Sequence, residues 1–293
     1  MPTFAEAASH VHEARKAGWK NSKHVAQWLT TLKTYAFPIF GERPVDQITT
    51  ADVLRALSPI WLEKPETARR LRQRIGTVFD WAKAAGHRTG DNPIEGVSKG
   101  LPNQGDRDEH FTALPYKDVP QFVTRLREGQ ANPATKLAFE FLILTASRTS
   151  EVLNARWSEI DDFDRLWVVP AERMKMARVH RVPLSTRCVE IIEAAKALPV
   201  RSEFIFPSQK PERPLSNMVF LQMLKRMGVD ATAHGFRSSF RDWAAEQTSF
   251  PREVCEAALA HTVENKVEAA YRRGDLLEKR RELMEAWGRY VGG

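Results

Sequence analysis

Apolar residues recur at helical spacing through the first hundred residues. The clearest segment runs from about Glu66 to Ala85, and its apolar side chains fall on one face: Ala68, Leu71, Ile75, Val78, Phe79 and Ala82. The opposite face carries polar and basic side chains: Arg70, Gln73, Arg74 and Thr77. The pattern predicts an amphipathic helix that has a core face and a cationic face.

Three shorter helices are predicted ahead of this one. Thr3 and Glu6 have the spacing of a capping box, which would open the first helix. A second helix is predicted over residues 21–37 and is ended by Pro38, and a third is capped by Thr50. The first part of the chain is therefore predicted to be all α.

Helical spacing is lost where glycine, proline and charged residues cluster. We place a linker at residues 101–110, which separates a helical domain over residues 1–100 from a second domain over residues 111–293. Most of the second domain again shows helical spacing.

The exception in the second domain lies between Trp157 and Leu184, where β-branched and aromatic residues concentrate. They predict three short strands, near 157–160, 165–169 and 179–183. The predicted fold class is therefore mainly α with a small antiparallel β-sheet, an α+β arrangement in the second domain.

The charge is unevenly distributed. The chain has 44 Lys plus Arg and 37 Asp plus Glu, a net charge of +7. Residues 1–105 hold 15 of these bases and 10 of the acids, a net of +5. A basic first part suits a polyanionic partner such as nucleic acid, but solvated helix faces would explain the same charge.

Several classes of protein are disfavoured by what the sequence lacks. The two cysteines, Cys188 and Cys255, are too few for a disulfide framework or a four-cysteine zinc site. No apolar run approaches the roughly 20 residues that span a bilayer, so we expect a cytoplasmic protein without membrane contact. The sequence has no phosphate-binding loop and no HExxH or CxxC motif, so we expect no cofactor.

Three neighbouring acids, Asp161, Asp162 and Asp164, leave two interpretations open. They could bind magnesium in a metal-dependent nuclease. They could equally form an acidic turn between two strands of the predicted sheet.

A series of basic and polar side chains in the second domain suggests phosphodiester chemistry. In chain order they are Arg148, Lys175, His234, Arg237, His261 and Tyr271. A His-x-x-Arg pair alone is expected by chance at this composition, so order, spacing and flanking residues carry the signal. The first arginine precedes the His-x-x-Arg pair by 86 residues, and the last three members are spaced by 24 and 10 residues.

This order resembles the tyrosine recombinase, or phage integrase, family, and in particular the integrases of prophages and integrative elements. The resemblance covers nearly the whole chain, and all six positions of the family pattern are matched. Two flanking positions depart from it, since the family usually has glycine where this chain has Ala146 and Ala260. Many relatives carry a further N-terminal domain that binds arm sites, and we expect this chain to be a form without it.

The resemblance implies a function and an assembly. A member of this family would be a site-specific recombinase that integrates and excises a mobile element through a 3′-phosphotyrosine intermediate. Residues 1–100 would be a core-binding domain that closes with the catalytic domain as a C-shaped clamp on a double-stranded attachment (core) site. Four protomers would exchange strands through a Holliday junction in a bacterial cytoplasm, with host or element accessory factors. Whether the protein is a monomer in solution is left open.

The six residue types suit in-line attack on a phosphodiester. Arg148 and Arg237 would hold the charge that develops on the nonbridging oxygens, because guanidinium groups stay charged and donate paired hydrogen bonds. Tyr271 would be the nucleophile and His234 its general base. Lys175 would be the general acid that protonates the leaving 5′-oxygen.

Further residues have supporting or competing roles. His261 would donate to a nonbridging oxygen, and the resemblance places Glu151 beneath the site as a support. Lys210 is the alternative general acid, and Tyr290 is the alternative nucleophile.

Two surfaces are predicted to contact partners. The cationic face of the helix over residues 66–85 would contact DNA through Arg70, Arg74 and Thr77. The final helix would pack on a neighbouring protomer through Leu283, Trp287 and Tyr290.

Two alternatives to a recombinase stay open besides the metal-dependent nuclease. A type IB topoisomerase would use the same chemistry on a single duplex. A DNA-binding regulatory factor would use the same fold without cleavage.

Overall fold

The computed structural model describes residues 1–19, 22–105, 112–261 and 274–292. The chain divides into two compact units, Met1–Arg107 and Asp108–Gly293, and each has its own apolar core. Among the described residues, no helix is both long and apolar enough to cross a bilayer. The assignment of these units to a core-binding and a catalytic domain stays a prediction.

The first unit is helical, as predicted. Its α-helices are α1 (Phe4–Lys16), α2 (Ser22–Tyr35), α3 (Phe37–Phe40), α4 (Thr50–Trp61) and α5 (Pro65–Ala84). The capping box of α1 is confirmed, because the Thr3 amide donates to the Glu6 carboxylate at 2.8 Å and the Glu6 amide donates to the Thr3 hydroxyl at 3.2 Å.

Two predicted helix boundaries in this unit are wrong. Pro38 does not end a helix: α2 stops at Tyr35, and Pro38 lies in the first turn of α3, where a missing amide costs nothing. The cap of α4 is Thr49 rather than Thr50, because the Thr49 amide donates to the Asp52 carboxylate at 2.9 Å.

Helix α5 supplies the apolar face of the first core, and all six of its predicted core residues are fully buried. The prediction that the opposite face is an exposed cationic surface is wrong at Arg74. Its guanidinium is buried against α2, where it donates to the Gln27 carbonyl at 2.8 Å and to the Thr31 hydroxyl. Burial, followed by the charge of Arg70, lowers the pKa of Arg74. Arg74 therefore holds two helices together and is not available to a phosphate.

The second unit surrounds its core with helices and one small sheet. Its α-helices are α6 (Val119–Glu128), α7 (Pro133–Thr145), α8 (Thr149–Leu153), α9 (Thr186–Lys196), α10 (Val219–Arg226), α11 (Gly235–Gln247), α12 (Arg252–Ala258) and α13 (Leu277–Gly292). Its strands are β1 (Ile160–Asp161), β2 (Leu166–Val169) and β3 (His180–Pro183). The sheet is antiparallel in the order β1-β2-β3, which confirms the predicted fold class.

Strand β1 is shorter than predicted because the chain enters it through a 3₁₀ turn, Trp157–Glu159. That turn points the Glu159 carboxylate inward, where it accepts a hydrogen bond from the Trp167 indole at 2.9 Å. Strand β3 pairs with β2 in the register Val169↔His180.

Helix α7 runs through the middle of the second core. Its last seven residues, Phe139–Thr145, are all buried, and the Phe139 ring stacks on Phe220 at a centroid distance of 4.6 Å. A helix enclosed on every side has a well-fixed end. The residues just after Thr145 are therefore placed by the core itself.

The final helix, α13, packs on its own unit, so the prediction that it packs on a neighbouring protomer is wrong for Leu283 and Trp287. Both side chains are fully buried, and the Trp287 indole donates to the Ile143 carbonyl at 2.9 Å. Tyr290 is half-buried and lies against Trp243 at a centroid distance of 5.6 Å. The apolar face of α13 therefore completes the core around α7.

This packing predicts the effect of Leu283→Ala. Truncating a fully buried leucine should lower the unfolding free energy of the second unit by about 3 kcal/mol, from lost burial and a new cavity. Urea unfolding followed by tryptophan fluorescence measures it. Glu282→Ala, at an exposed position of the same helix, is the control and should change stability by less than about 0.5 kcal/mol. A midpoint that rises with protein concentration would instead indicate packing between protomers.

Candidate active site

Three chain segments meet around the guanidinium of Arg237, which is 4% exposed. The residue lies in the first turn of α11. Its Nη1 donates to the carbonyl of Ala146, just past the end of α7, and its Nη2 donates to the carbonyl of Leu259, just past the end of α12, at 2.6 Å. The buried cation is thus bound by backbone carbonyls of two other segments.

Arg148 is the second cation of the site and lies at the start of α8. Its backbone amide and its Nη1 donate to the two carboxylate oxygens of Glu151, at 2.9 and 2.8 Å. Its Nη2 reaches the Ala260 carbonyl at 3.5 Å. Burial, and next the charge of Arg148, lower the pKa of Arg237 to about 10. Arg237 therefore remains charged at neutral pH, and together with Arg148 it creates an anion-binding position.

The two alanines that depart from the family pattern both have left-handed backbones. Ala146 has φ 47° and Ala260 has φ 50°. Ala260 follows α12 in a Schellman arrangement, with its amide bound to the Ala257 carbonyl at 3.1 Å and the His261 amide bound to the Glu256 carbonyl at 3.0 Å. This conformation favours glycine, so each alanine adds local strain at a carbonyl that accepts from an arginine, Ala146 from Arg237 and Ala260 from Arg148.

His261 is fixed from both sides of its ring. Its Nε2 lies 3.1 Å from Nη2 of Arg237, and its Nδ1 lies 2.7 Å from a carboxylate oxygen of Glu256. Arginine only donates, so Nε2 of His261 accepts. The ring proton is therefore on Nδ1, and the Nδ1–H group donates a hydrogen bond to the Glu256 carboxylate. Burial by itself would raise the pKa of Glu256, but hydrogen bonds from Arg241 and His261 lower it overall.

His234 lies at the N-terminal end of α11. Burial, followed by the charges of Arg237 and Arg148, lowers its pKa, so the ring is neutral at neutral pH and able to accept a proton. The residue after it must be glycine, because a Cβ on Gly235 would collide with the Thr112 carbonyl and would lie 2.8 Å from the Ala113 Cα.

Lys175 lies on the exposed connection between β2 and β3, after the 3₁₀ turn Ala171–Arg173. The structure gives its side chain no hydrogen bond or ion pair with the residues it describes. Lys210, the alternative general acid, lies on a separate exposed turn, where its amide donates to the Ser208 hydroxyl at 3.1 Å. Tyr271 lies outside the described residues.

Three residues at the site were given no role by the sequence analysis. His180 on β3 is mostly buried, and burial, followed by the charge of Arg280, lowers its pKa to about 3. Glu256 lies five residues before His261, and Arg173 lies two residues before Lys175. Their signal was proximity in sequence to motif residues, but such proximity does not show which way a side chain points.

The acids Asp161, Asp162 and Asp164 form a turn. A carboxylate oxygen of Asp161 accepts the amides of Phe163 and Asp164, at 3.1 and 3.0 Å. Within the ranges that the structure describes, no group of three or more His, Cys, Asp or Glu side chains is placed to hold a metal ion.

The two family models that match this chain describe phage integrases, and two of its similar relatives are prophage integrases. Residues 4–96 match the phage integrase central domain, and residues 113–276 match the phage integrase family. The prophage integrase IntA of Escherichia coli (strain K12) is 35% identical over 265 residues, which cover 89% of this chain and 63% of that protein. Prophage integrase IntZ of the same strain is 33% identical over 284 residues, which cover 96% of this chain and 69% of that protein.

A solved structure of lambda integrase residues 75–356, a dimer bound to a COC′ core site, has a similar fold. The TM-score is 0.73 at 19% sequence identity, covering 89% of this chain and 96% of that chain. The fold and the arginine-centred site define a protein of the tyrosine recombinase class. The chain belongs to the phage integrase family, and the resemblance inferred from its six motif residues is confirmed.

The left-handed alanines generate a stability prediction. Ala146→Gly and Ala260→Gly should each raise the unfolding free energy by about 0.5 kcal/mol, because relief of backbone strain outweighs the extra freedom of glycine in the unfolded chain. Differential scanning calorimetry measures the shift. Ala245→Gly, at an exposed position inside α11, is the matched control, and it should lower the unfolding free energy by about 1 kcal/mol. Equal losses in all three variants would contradict the strain.

Proposed function

We propose that this chain is a site-specific DNA recombinase that cleaves and rejoins strands through a 3′-phosphotyrosine intermediate, and so integrates and excises a mobile element. The observation that carries the proposal is the pair Arg148 and Arg237, held as an anion-binding site beside two histidines. The chain's place in the phage integrase family supports it. The relatives are longer, since the chain spans 63% of IntA and 69% of IntZ.

The arginine pair would bind the scissile phosphate. Each guanidinium has five N–H donors. Arg237 directs three of them to Ala146, Leu259 and His261, so that, counting only partners among the described residues, two are left for a ligand. Arg148 directs two to Glu151 and Ala260, so three are left within the part of the chain that the structure describes. These donors would stabilise the charge on the nonbridging oxygens as attack proceeds, without a metal ion.

Cleavage would begin with attack of the Tyr271 hydroxyl on phosphorus. The bond from the phenolic oxygen to phosphorus forms, the bond from phosphorus to the 5′-oxygen breaks, and neutral His234 accepts the phenolic proton. Lys175 donates a proton to the leaving 5′-oxygen. Attack by the 5′-hydroxyl of another strand reverses these steps, and the covalent ester conserves the energy of the phosphodiester.

His261 would change partners when the phosphate enters. Its Nε2 accepts from Arg237 in the structure, so it has no proton to offer a nonbridging oxygen in this state. To donate to the phosphate, Nε2 must carry a proton and the contact with Arg237 must break. The Glu256 carboxylate would continue to orient the ring through Nδ1.

The proposed partners are double-stranded attachment sites and further copies of this chain. Lambda integrase has been solved as a tetramer on a Holliday junction, with a TM-score of 0.72 and 18% identity to this chain. By analogy, four protomers would exchange strands pairwise, in a bacterial cytoplasm. Arg70 and Thr77 remain the proposed DNA contacts of α5. Accessory factors and the clamp arrangement of the two units stay predictions.

The nucleophile is tested with Tyr271→Phe on a nicked suicide duplex that carries the element's attachment site. The variant should form no covalent protein–DNA adduct and should bind the duplex within a few-fold of wild type, because only the phenolic oxygen is lost. Denaturing electrophoresis detects the adduct. Tyr290→Phe is the matched control and should form the adduct normally. An adduct that maps to Tyr290 in the wild-type protein would refute the assignment.

The general acid is tested with Lys175→Ala on two substrates. Cleavage of a normal phosphodiester should fall by at least about 100-fold, whereas a substrate with sulfur in place of the bridging 5′-oxygen should be cleaved almost normally, because a thiolate leaves without a proton. Single-turnover rates are the measurement. Arg148→Ala and Arg237→Ala should be impaired on both substrates, since their targets are nonbridging oxygens.

The matched control for this test is Lys210→Ala, which should behave as wild type. Equal loss in Lys175→Ala on both substrates would show that this lysine only positions DNA. The same assay in excess EDTA separates the recombinase from a metal-dependent nuclease. A supercoiled plasmid without an attachment site separates it from a topoisomerase, which would relax that plasmid.

A further inference from the structure

Arg173 occupies a half-buried position at the start of the β2–β3 connection. Its Nη2 donates to a carboxylate oxygen of Glu159 at 2.6 Å, and its Nη1 donates to the backbone carbonyl of Glu151 at 3.2 Å. The Arg173 side chain is 17% exposed and that of Glu159 is 7% exposed. Because both groups are largely removed from water, this salt bridge is costly to form, and breaking it would leave the Glu159 charge poorly solvated.

The acid that binds Arg173 is itself fixed in place. The same oxygen of Glu159 accepts the Trp167 indole N–H at 2.9 Å and the Arg156 amide at 3.3 Å. Trp167 is fully buried in β2. The Arg173 guanidinium is therefore anchored to the sheet and to the 3₁₀ turn that precedes β1.

The other contact of Arg173 leads directly to the arginine pair. Glu151, whose carbonyl accepts from Arg173, holds Arg148 through both of its carboxylate oxygens. In the opposite direction along the chain, Met174 is buried and Lys175 follows it on the exposed turn. The Arg173 side chain thus connects the start of the β2–β3 connection, which carries Lys175, with Glu151, which holds Arg148.

We propose that Arg173 is a positioning residue that sets where Lys175 stands relative to the phosphate held by Arg148. The proposal rests on the general-acid role of Lys175 given above. The two hydrogen bonds of Arg173 fix the start of the β2–β3 connection, and they therefore restrict the positions that Lys175, two residues further on, can reach. Misplacement of a reacting group by about 1 Å can cost about 100-fold in rate. Arg173 can therefore affect proton transfer by Lys175 without touching the substrate.

The test compares Arg173→Lys with wild type on the normal phosphodiester and on the substrate with a bridging 5′-sulfur. Lysine keeps the charge, but its single ammonium group lacks the planar fork that serves Glu159 and the Glu151 carbonyl together. Cleavage of the normal substrate should fall by about 10- to 100-fold, while the sulfur substrate stays within about 3-fold. Arg173→Met, which removes the charge at similar length, should show the same pattern more strongly.

Two further measurements separate positioning from general damage. Adding Arg173→Lys to Lys175→Ala should lower normal cleavage by no more than about 2-fold, since the group being positioned is already absent. Arg156→Lys is the matched control: its side chain pairs with Glu203 and lies over Phe204 on the surface, and both substrates should be cleaved as in wild type. Thermal unfolding and duplex binding verify that each variant is folded.

The outcomes are distinct. Equal loss of Arg173→Lys on both substrates, or no loss on either, overturns the positioning role while Lys175→Ala still shows sulfur rescue. If Lys175→Ala is not rescued either, the general-acid assignment and this proposal fall together. If the wild-type protein forms no covalent adduct, the proposed function itself is wrong.

Discussion

The site depends on how the charge of Arg237 is held inside the protein. A buried cation is costly unless polar groups compensate it, and a carboxylate is the usual partner. Here the direct partners are the neutral ring of His261 and two carbonyls just past the C-terminal ends of α7 and α12, where helix dipoles place partial negative charge. Dipoles stabilise the cation without neutralising it. Arg237 can therefore be buried and still attract a phosphate.

The acids near the site bind its other positive groups. Glu151 holds Arg148, while Glu256 binds His261 and Arg241, so neither carboxylate is bound to Arg237. The uncompensated positive charge acts on the histidines in turn. It contributes, after burial, to the lowered pKa of His234 and helps to keep a proton acceptor neutral beside an anion-binding site. One electrostatic arrangement thus provides both a pair of guanidiniums that can bind an anion and, beside them, a neutral imidazole.

The same arrangement requires backbone strain. Ala146 and Ala260 adopt left-handed conformations so that their carbonyls turn toward the arginines. The rigid end of α7, enclosed by the core and by α13, resists relaxation of that strain. The final helix therefore supports the site by packing on its own unit. The apolar face of this helix does not by itself show whether the helix packs on its own unit or on a neighbouring protomer.

The sequence by itself determined the helical class, the small sheet, the capping box at Thr3 and the order of the motif residues, because these follow from local spacing and residue chemistry. It also identified every apolar residue of α5 that is buried. It could not assign Arg74, because periodicity separates the faces of a helix without showing that α2 covers the polar one. Nor could it assign roles to Glu256, His180 or Arg173, because those roles depend on contacts between segments distant along the chain. Only the tertiary structure decided those contacts, since burial and direction of a side chain are set by whichever segment packs against it.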